Sequence, residues 1–356
     1  MEDRIMRKSM FYMLLASIAI SCSLLYLPQF TVKANALISQ YKSMREEARK
    51  REEMSALDLL RYHEQKINEE EKRSLKDAIR IYMVEGLKSE DVKMEVDYYK
   101  HTIKLLFPDT KEDILDKYPI VGSTDHIDDM KVTASGEGLH VELKTDQLVE
   151  PVVEKQDHYC YVRLKDPHDL YDKIIVVDAG HGGKMPGTVS GGVTEKAINL
   201  EIVRALKPYM DAEKEVKVYY TRLSDKHVEL EDRAKLANEL KADLFMSIHQ
   251  NAVGYKFNNV KGTQVLYSQS DKTKKSRTFA KILLENITRE VKSENKGLIP
   301  GDDIYIIRTA KMPVALVEVG FVTNKEEQEK LLSAKYQDQV AKVLHDSIMQ
   351  ALKEGL

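Results

Sequence analysis

The sequence predicts an α/β fold for its second half, in which a mostly parallel sheet is flanked by helices. From Lys173 onward, short apolar runs alternate with longer patterns of helical periodicity. Such alternation is typical of parallel strands that are joined by crossover helices. Two of the apolar runs end in a histidine. Ligands in sheets of this kind bind beyond the carboxyl ends of the strands, so we expect a functional site at that edge.

Five strands and four helices are predicted in this half. The strand candidates are short apolar runs, namely Ile174–Asp178, Val216–Thr221, Leu244–His249, Gly262–Ser268 and Val314–Val319. The helix candidates place apolar residues three or four positions apart, namely Glu195–Tyr209, Leu230–Leu240, Arg277–Lys292 and Tyr336–Lys353.

The first predicted strand leads into a histidine flanked by glycines. Gly180, Gly182 and Gly183 allow a sharp turn that exposes His181 at the carboxyl end of the strand. Glu195 follows fourteen positions after His181, and Thr194 before it is an N-cap candidate. The helix dipole favours an ionised carboxylate in that first turn. An imidazole and a carboxylate in one crevice supply two of the three protein ligands of a catalytic zinc site.

Two further candidate residues lie downstream. The apolar run Asp243–Ala252 carries His249, and Val314–Phe321 carries the lone carboxylate of Glu318. An unpaired carboxylate in a buried strand is costly. We therefore expect Glu318 to have a partner or a chemical task.

In these motifs the sequence resembles the zinc-dependent N-acetylmuramoyl-L-alanine amidases of the amidase 3 family. The resemblance runs from about Lys173 to the C-terminus and includes Thr221-Arg222, Arg233–Asn238 and Met312-Pro313. Several motifs in the same order are far more specific than any one of them alone. Ala179 stands where many members of the family carry proline.

The resemblance implies a site and a reaction. His181, Glu195 and His249 would bind Zn²⁺, and Glu318 would be the catalytic carboxylate. The family cleaves the amide bond between N-acetylmuramic acid and L-alanine in peptidoglycan, by zinc-activated water. Three protein ligands leave a position on zinc open, and a glutamate can act as base and then as acid.

Two other classes of function stay open. One is a non-catalytic cell-wall-binding or regulatory module, although all four residues of the implied site are present. The other is a glycosidase that uses Glu195 and Glu318 as its pair of carboxylates, a chemistry that needs neither the histidines nor a metal.

Other polar residues near the motifs have simpler interpretations. Arg222 and Arg233 are expected to brace the fold through carboxylates, and His227 is expected on the surface. Asn251 is expected to bind substrate or to pack a loop. Only the short polar segment Gln269–Ser276 separates a predicted strand from the next helix. An eleven-residue helix would not fit there with its connections, so we expect an uncovered site.

Composition limits the class of protein. The length of 356 residues predicts more than one domain, and a hydrophobic content of 42% is enough for a sizeable core. The net charge of −3 gives no indication of a nucleic-acid partner. The two cysteines, Cys22 and Cys160, are too few for a disulfide framework. The expected partners are peptidoglycan and a membrane, and no protein partner is indicated.

A membrane anchor or a signal segment is predicted for residues 1–36. Arg4, Arg7 and Lys8 precede the eighteen uncharged residues Met10–Leu27. Basic residues before an apolar block predict that the rest of the chain is exported. The length of the block favours an anchor over a signal peptide, and Ala34–Ala36 keeps cleavage open. The expected location is the cell envelope, outside the cytoplasm.

Two regions precede the predicted zinc amidase domain at 172–356. Residues 37–91 contain no proline and are dense in Glu, Lys, Arg and Ala, which predicts a helical stalk or hairpin. A coiled coil is the alternative, but the apolar positions hold no clean heptad. Residues 92–171 alternate apolar and polar positions and predict a small β-rich domain, with a hairpin at Gly136 and Gly138.

Overall fold

The computed structural model describes residues 28–254 and 256–356. The apolar segment Met10–Leu27, predicted as an anchor or signal, lies outside the described residues, as does Cys22. Within the described part, none of the helices combines the length and the apolar character that crossing a membrane requires. Cys160 is buried as a free thiol.

Three helices open the described chain. They are α1 (Pro28–Glu52), α2 (Ala56–Glu64) and α3 (Glu69–Ser74). Side-chain oxygens of Ser55 and Asn68 accept backbone N–H bonds and cap α2 and α3, as expected of these residue types. Leu57 and Leu60 of α2 are buried in the core of the following β domain, whereas Leu37 of α1 is exposed.

Eight antiparallel strands form the β-rich region as two four-stranded sheets around one core. They are β1 (Ala78–Tyr82), β2 (Lys93–Asp97), β3 (Thr102–Pro108), β4 (Val121–Gly122), β5 (Ile127–Ser135), β6 (Gly138–Thr145), β7 (Glu150–Gln156) and β8 (Tyr159–Lys165), with the short helix α4 (Ile114–Lys117) before β4. The predicted hairpin is confirmed, because Ser135 pairs with Gly138 across the turn between β5 and β6.

Strand β1 lies where the sequence predicted helix. Ile79 and Ile81 are buried and alternate with half-buried neighbours, so this short segment has the period of a strand. Its pairing with β8 and β4, which are distant in sequence, outweighs local helix propensity.

A six-stranded sheet with helices on both faces follows. Its elements are β9 (Lys173–Ala179), a two-stranded hairpin β10 (Val189–Ser190) and β11 (Val193–Thr194), α5 (Glu195–Asp211), β12 (Val216–Tyr220), α6 (Leu230–Glu239), β13 (Leu244–Asn251), β14 (Thr263–Tyr267), α7 (Lys275–Glu290), β15 (Asn295–Pro300), α8 (Tyr305–Thr309), β16 (Val314–Phe321), α9 (Lys325–Leu331) and α10 (Ala334–Lys353). The strand order is β12-β9-β13-β16-β14-β15.

The sheet is mixed rather than mostly parallel along its whole width. Strands β12, β9, β13 and β16 are parallel, but β14 runs antiparallel to β16, and β15 follows β14. A parallel return requires a crossover, usually a helix. The described residues between β13 and β14 contain no helix, so the chain returns in the opposite direction. The edge strand β15 was not predicted from the sequence, because its apolar run is only Leu298-Ile299 and ends at Pro300.

The alternation of side chains along the central strands divides the core in two. Ile175 and Val177 of β9 pack with α5, α7 and α10, whereas Ile174 and Val176 pack with α6 and α8. Residues of β13 and β16 alternate in the same way. His249 and Glu318, by this alternation, lie on the face that α6 covers.

Candidate metal centre

Three predicted ligands converge at the carboxyl edge of the sheet. His181 lies two residues beyond β9, Glu195 is the first residue of α5, and His249 lies near the end of β13. Oε1 of Glu195 is 3.1 Å from Nε2 of His181 and 2.8 Å from Nδ1 of His249. One ligand atom from each residue lies within 4.8 Å of the other two, which is compatible with a single metal ion.

Glu195 is buried and held in one orientation. Its Oε2 accepts the backbone N–H of Thr188, and its Oε1 accepts that of Gln250. Burial opposes ionisation, but the hydrogen bonds to His181 and His249 hold the pKa of Glu195 below its ordinary value. The carboxylate is therefore an anionic ligand candidate. Thr194 takes the N-cap position as predicted, but its side chain makes no capping bond.

Two glycines make room for the ligand side chains. A Cβ on Gly180 would lie 2.2 Å from Nε2 of His249, and a Cβ on Gly187 would lie 2.5 Å from Oε2 of Glu195. Any other residue at these positions would displace a candidate ligand. We call the backbone at Gly180 and Gly187, which leaves room for these side chains, the glycine cradle of the site.

The donor set fits zinc. Two imidazoles and one carboxylate are the ligand types of catalytic zinc sites, which keep a further position open. The three residues line a cleft of about 950 Å³. The segment between β14 and α7 contains no helix, as predicted. His181 and His249 are partly exposed in this cleft, whereas Glu195 is buried.

Glu318 lies beside the candidate ligands but does not join them. Its Cα pairs with that of His249 across the parallel strands β13 and β16, so both side chains face the cleft. Its Oε2 is buried and has no hydrogen-bond partner among the described residues. Burial, together with the smaller effect of the nearby charge of Glu195, raises the pKa of Glu318 to about 7 against the opposing effect of His249. A carboxyl group with such a pKa can both accept and donate a proton near neutral pH.

A buried polar network fixes the backbone beneath the site. Asp178, at the end of β9, pairs with Arg233 of α6 and accepts 2.6 Å hydrogen bonds from the hydroxyls of Thr221 and Ser247. Arg233 also donates to the carbonyl of His181 over 2.6 Å. Burial opposes ionisation of Asp178, but Arg233 and the two hydroxyls hold its pKa below the ordinary value.

The hydrogen bonds of this network hold the backbone of His181 in a strained conformation. His181 has φ of +62°, in the left-handed region that side chains other than glycine rarely adopt. Such strain persists only where the surroundings enforce it. Arg222 adds to the restraint by donating to the carbonyls of Ala179, Gly180 and Lys196. Arg233 braces the fold through a carboxylate as predicted, whereas Arg222 does so through carbonyls.

Two other sequence interpretations are resolved by contacts. Asn251 donates to Oε1 of Gln264 and accepts the N–H of Ala252, so its side chain packs the strand end. His227 lines the cleft, with Nε2 2.8 Å from Oε1 of Glu229, rather than lying on an outer surface. Asp178 was not predicted to have a role in the site. A lone carboxylate near the end of an apolar run was nevertheless a sign that this side chain has a buried partner.

Three candidate ligands beside a carboxyl group that does not join them are typical of one class of protein, the mononuclear metal-dependent hydrolases. The sequence profile of the amidase 3 family, described as N-acetylmuramoyl-L-alanine amidase, matches residues 175–350. The germination-specific N-acetylmuramoyl-L-alanine amidase of Bacillus subtilis (strain 168) is 32% identical over 199 residues, which cover 52% of this chain and 82% of that protein. The chain belongs to this N-acetylmuramoyl-L-alanine amidase family.

These similarities cover about half of the chain, and some relatives are much longer than the part that matches. The N-acetylmuramoyl-L-alanine amidase LytC of Bacillus subtilis (strain 168) is 30% identical over 184 residues, and the chain spans only 36% of its length. The crystal structure of an N-acetylmuramoyl-L-alanine amidase from Clostridium difficile 630 is 31% identical, with a TM-score of 0.49, and the match covers 52% of this chain and 98% of that one.

Replacement of Gly180 by alanine tests whether the glycine cradle positions His249. The new Cβ would meet the ring of His249, and we expect zinc affinity to fall on the order of 10–100-fold, as it does when the support of a ligand is lost. Gly136→Ala is the matched control, because a Cβ there meets nothing within 4 Å. The measurement is zinc content per chain after dialysis against graded zinc buffers. Equal zinc affinity in the two variants would show that the cradle does not position His249.

Proposed function

We propose that this protein is a peptidoglycan hydrolase that cleaves the amide bond between N-acetylmuramic acid and L-alanine. The convergence of His181, Glu195 and His249 on one point, with Glu318 beside them, carries the proposal. These three residues are the proposed Zn²⁺ ligands and Glu318 is the proposed catalytic residue. Membership of the amidase family supplies the substrate class.

Each residue of the site has a separate task. When bound, a zinc ion supplies positive charge that polarises a carbonyl and lowers the pKa of water. Glu318 takes the proton of the attacking water and delivers it to the leaving nitrogen, which amide cleavage requires. Its Oε2, which accepts no hydrogen bond from any residue that the structure describes, is free to hold that proton. The buried backbone donors on Glu195 keep that ligand fixed during the reaction.

The site argues against the two alternative classes. A glycosidase would need Glu195 as an acid or nucleophile that can reach the sugar. Here both of its oxygens accept hydrogen bonds and two imidazoles approach Oε1, which suits a ligand. A non-catalytic module has no use for the unpaired, buried carboxyl oxygen of Glu318, which is costly to retain.

The location and domain organisation are proposed from the sequence. We place the catalytic domain, residues 172–356, in the cell envelope outside the cytoplasm, where peptidoglycan lies. Residues 1–36 are proposed as a membrane anchor or signal segment, because basic residues precede an uncharged block of eighteen. Residues 37–91, helical apart from strand β1, and the β-rich residues 92–171 are proposed as the regions that separate the N-terminal segment from the enzyme.

Removal of one ligand tests the metal site. In His249→Ala, we expect zinc content and hydrolysis of purified peptidoglycan to be lost together, since two protein ligands bind zinc weakly. His140→Ala is the control, because His140 lies on β6 of the β-rich domain and its imidazole contacts the hydroxyl of Ser135. Zinc is measured by elemental analysis, and hydrolysis by newly released amino groups. An active His249→Ala protein without metal would contradict the assignment.

Removal of the proton carrier tests the role of Glu318. Glu318→Gln keeps the shape of the side chain, and we expect the hydrolysis rate to fall about 10²–10⁴-fold, the usual contribution of general acid–base catalysis. Zinc content should stay unchanged. The control Glu329→Gln, at an exposed position of α9, should have the hydrolysis rate and the zinc content of the unmodified protein. Loss of zinc in Glu318→Gln would make Glu318 a ligand instead of the acid and base.

A further inference from the structure

The tip of the hairpin between β2 and β3 inserts into the catalytic domain. The turn is closed by Asp97, whose Oδ1 accepts the N–H groups of Tyr99 and Lys100. Tyr98 and Tyr99 at this tip pack against the core cluster formed by β9, β12, α6 and α8. His101 places Nε2 3.0 Å from Oε2 of Glu239, at the end of α6.

The hydroxyl of Tyr99 reaches the network beneath the metal centre. It donates to the carbonyl of Thr221 over 2.8 Å. Burial raises the pKa of Tyr99 above its ordinary value, so the hydroxyl remains a donor at neutral pH. Thr221 is fully buried, and its own hydroxyl donates to Asp178. One residue thus links the hairpin to the carboxylate on which Arg233 is anchored.

A second set of contacts makes the docking firm. Glu150 of β7 accepts hydrogen bonds from Tyr98 of its own domain and from Lys217 and Tyr219 of β12. The rings of Tyr98 and Tyr219 meet edge to face at 5.0 Å. Glu150 is a half-buried carboxylate whose three donors come from both domains, so its hydrogen bonds join β7 to β12. The hairpin tip therefore has little freedom to move away from Thr221.

We propose that Tyr99 is a positioning residue of the metal centre, and that the β-rich domain acts through it as a fixed brace. The path runs from the Tyr99 hydroxyl through Thr221 to Asp178, and from Asp178 through Arg233 to the carbonyl of His181. Tyr99 touches neither the candidate ligands nor the cleft. Its effect on hydrolysis rests on the proposed function, whereas its effect on the His181 loop does not.

The test compares two tyrosines that each lose one hydrogen-bonded hydroxyl in the full-length protein. Tyr99→Phe removes the bond to Thr221. Tyr209→Phe, the control, removes a 2.9 Å bond to Asp338. Tyr209 lies fourteen residues along α5 from Glu195, or about 21 Å at the rise of a helix. Both variants keep the aromatic ring, so packing is preserved in each.

Three readouts separate positioning from general stability. A neutral hydrogen bond contributes about 0.5–1.5 kcal/mol, which corresponds to roughly two- to tenfold. In Tyr99→Phe we expect kcat to fall by that factor with KM unchanged, and zinc transfer to a chelator to accelerate similarly. The visible spectrum of the Co²⁺-loaded protein should change, because it reports ligand geometry. None of these should change in Tyr209→Phe.

Amide hydrogen exchange gives a reading that needs no metal. Exchange in residues 179–183 should be faster in Tyr99→Phe than in Tyr209→Phe, because the loop loses part of its restraint. Thr221→Val breaks the same path one step later. In the double variant Tyr99→Phe/Thr221→Val, the increase in the exchange rate of residues 179–183, expressed as a free energy, should therefore be less than the sum of the increases in the two single variants.

The outcomes distinguish this proposal from the proposed function. If the unmodified protein binds no zinc and releases no amino groups, the proposed function fails, and hydrogen exchange still decides the role of Tyr99. If exchange in residues 179–183, the Co²⁺ spectrum and kcat are the same in Tyr99→Phe and Tyr209→Phe, Tyr99 is not a positioning residue and the brace is overturned.

Discussion

Asp178 and Arg233 form a salt bridge in which the two side chains are only 1% and 2% exposed. Burying two charges is expensive, and the pair is tolerated because every remaining donor and acceptor has a use. Thr221 and Ser247 donate to Asp178, while Arg233 donates to the carbonyls of Ala179 and His181. Breaking a buried pair by removing one partner typically costs about 3–5 kcal/mol. The left-handed conformation of His181, and hence the position of one candidate ligand, depends on this pair.

The same edge of the sheet gives two carboxyl groups opposite properties. Burial opposes the ionisation of Glu195, but its hydrogen bonds to two imidazoles hold its pKa below the ordinary value, so it remains an anion, while two backbone N–H groups fix its orientation. The Oε2 atom of Glu318 is buried and has no hydrogen-bond partner in the described part of the chain, and burial raises the pKa of this group to about 7. Environments that push two pKa values apart assign one group to binding and the other to proton transfer. The division of labour proposed for the site thus follows from burial and hydrogen bonding.

Much of the site was predictable because its residues follow apolar strands. His181 and His249 lie at the carboxyl ends of two strands that pair in the centre of the sheet, and Glu195 begins the next helix. Local sequence patterns were therefore sufficient to predict that these three side chains meet. The partners of Asp178 were not predictable, since Thr221, Arg233 and Ser247 come from three separate elements. The antiparallel direction of β14 and the docking of the β2–β3 hairpin also depend on long-range contacts, which a single sequence does not reveal.

Mass analysis of purified peptidoglycan after digestion by the full-length protein tests the central claim most directly. Hydrolysis of the proposed amide bond leaves stem peptides with a free L-alanine amino terminus and glycan strands that keep their length. We expect these products, and we expect a zinc chelator to abolish them, because His181, Glu195 and His249 are the proposed zinc ligands. Shortened glycan strands with new reducing ends and intact peptide attachments, formed equally well in the chelator, would contradict it.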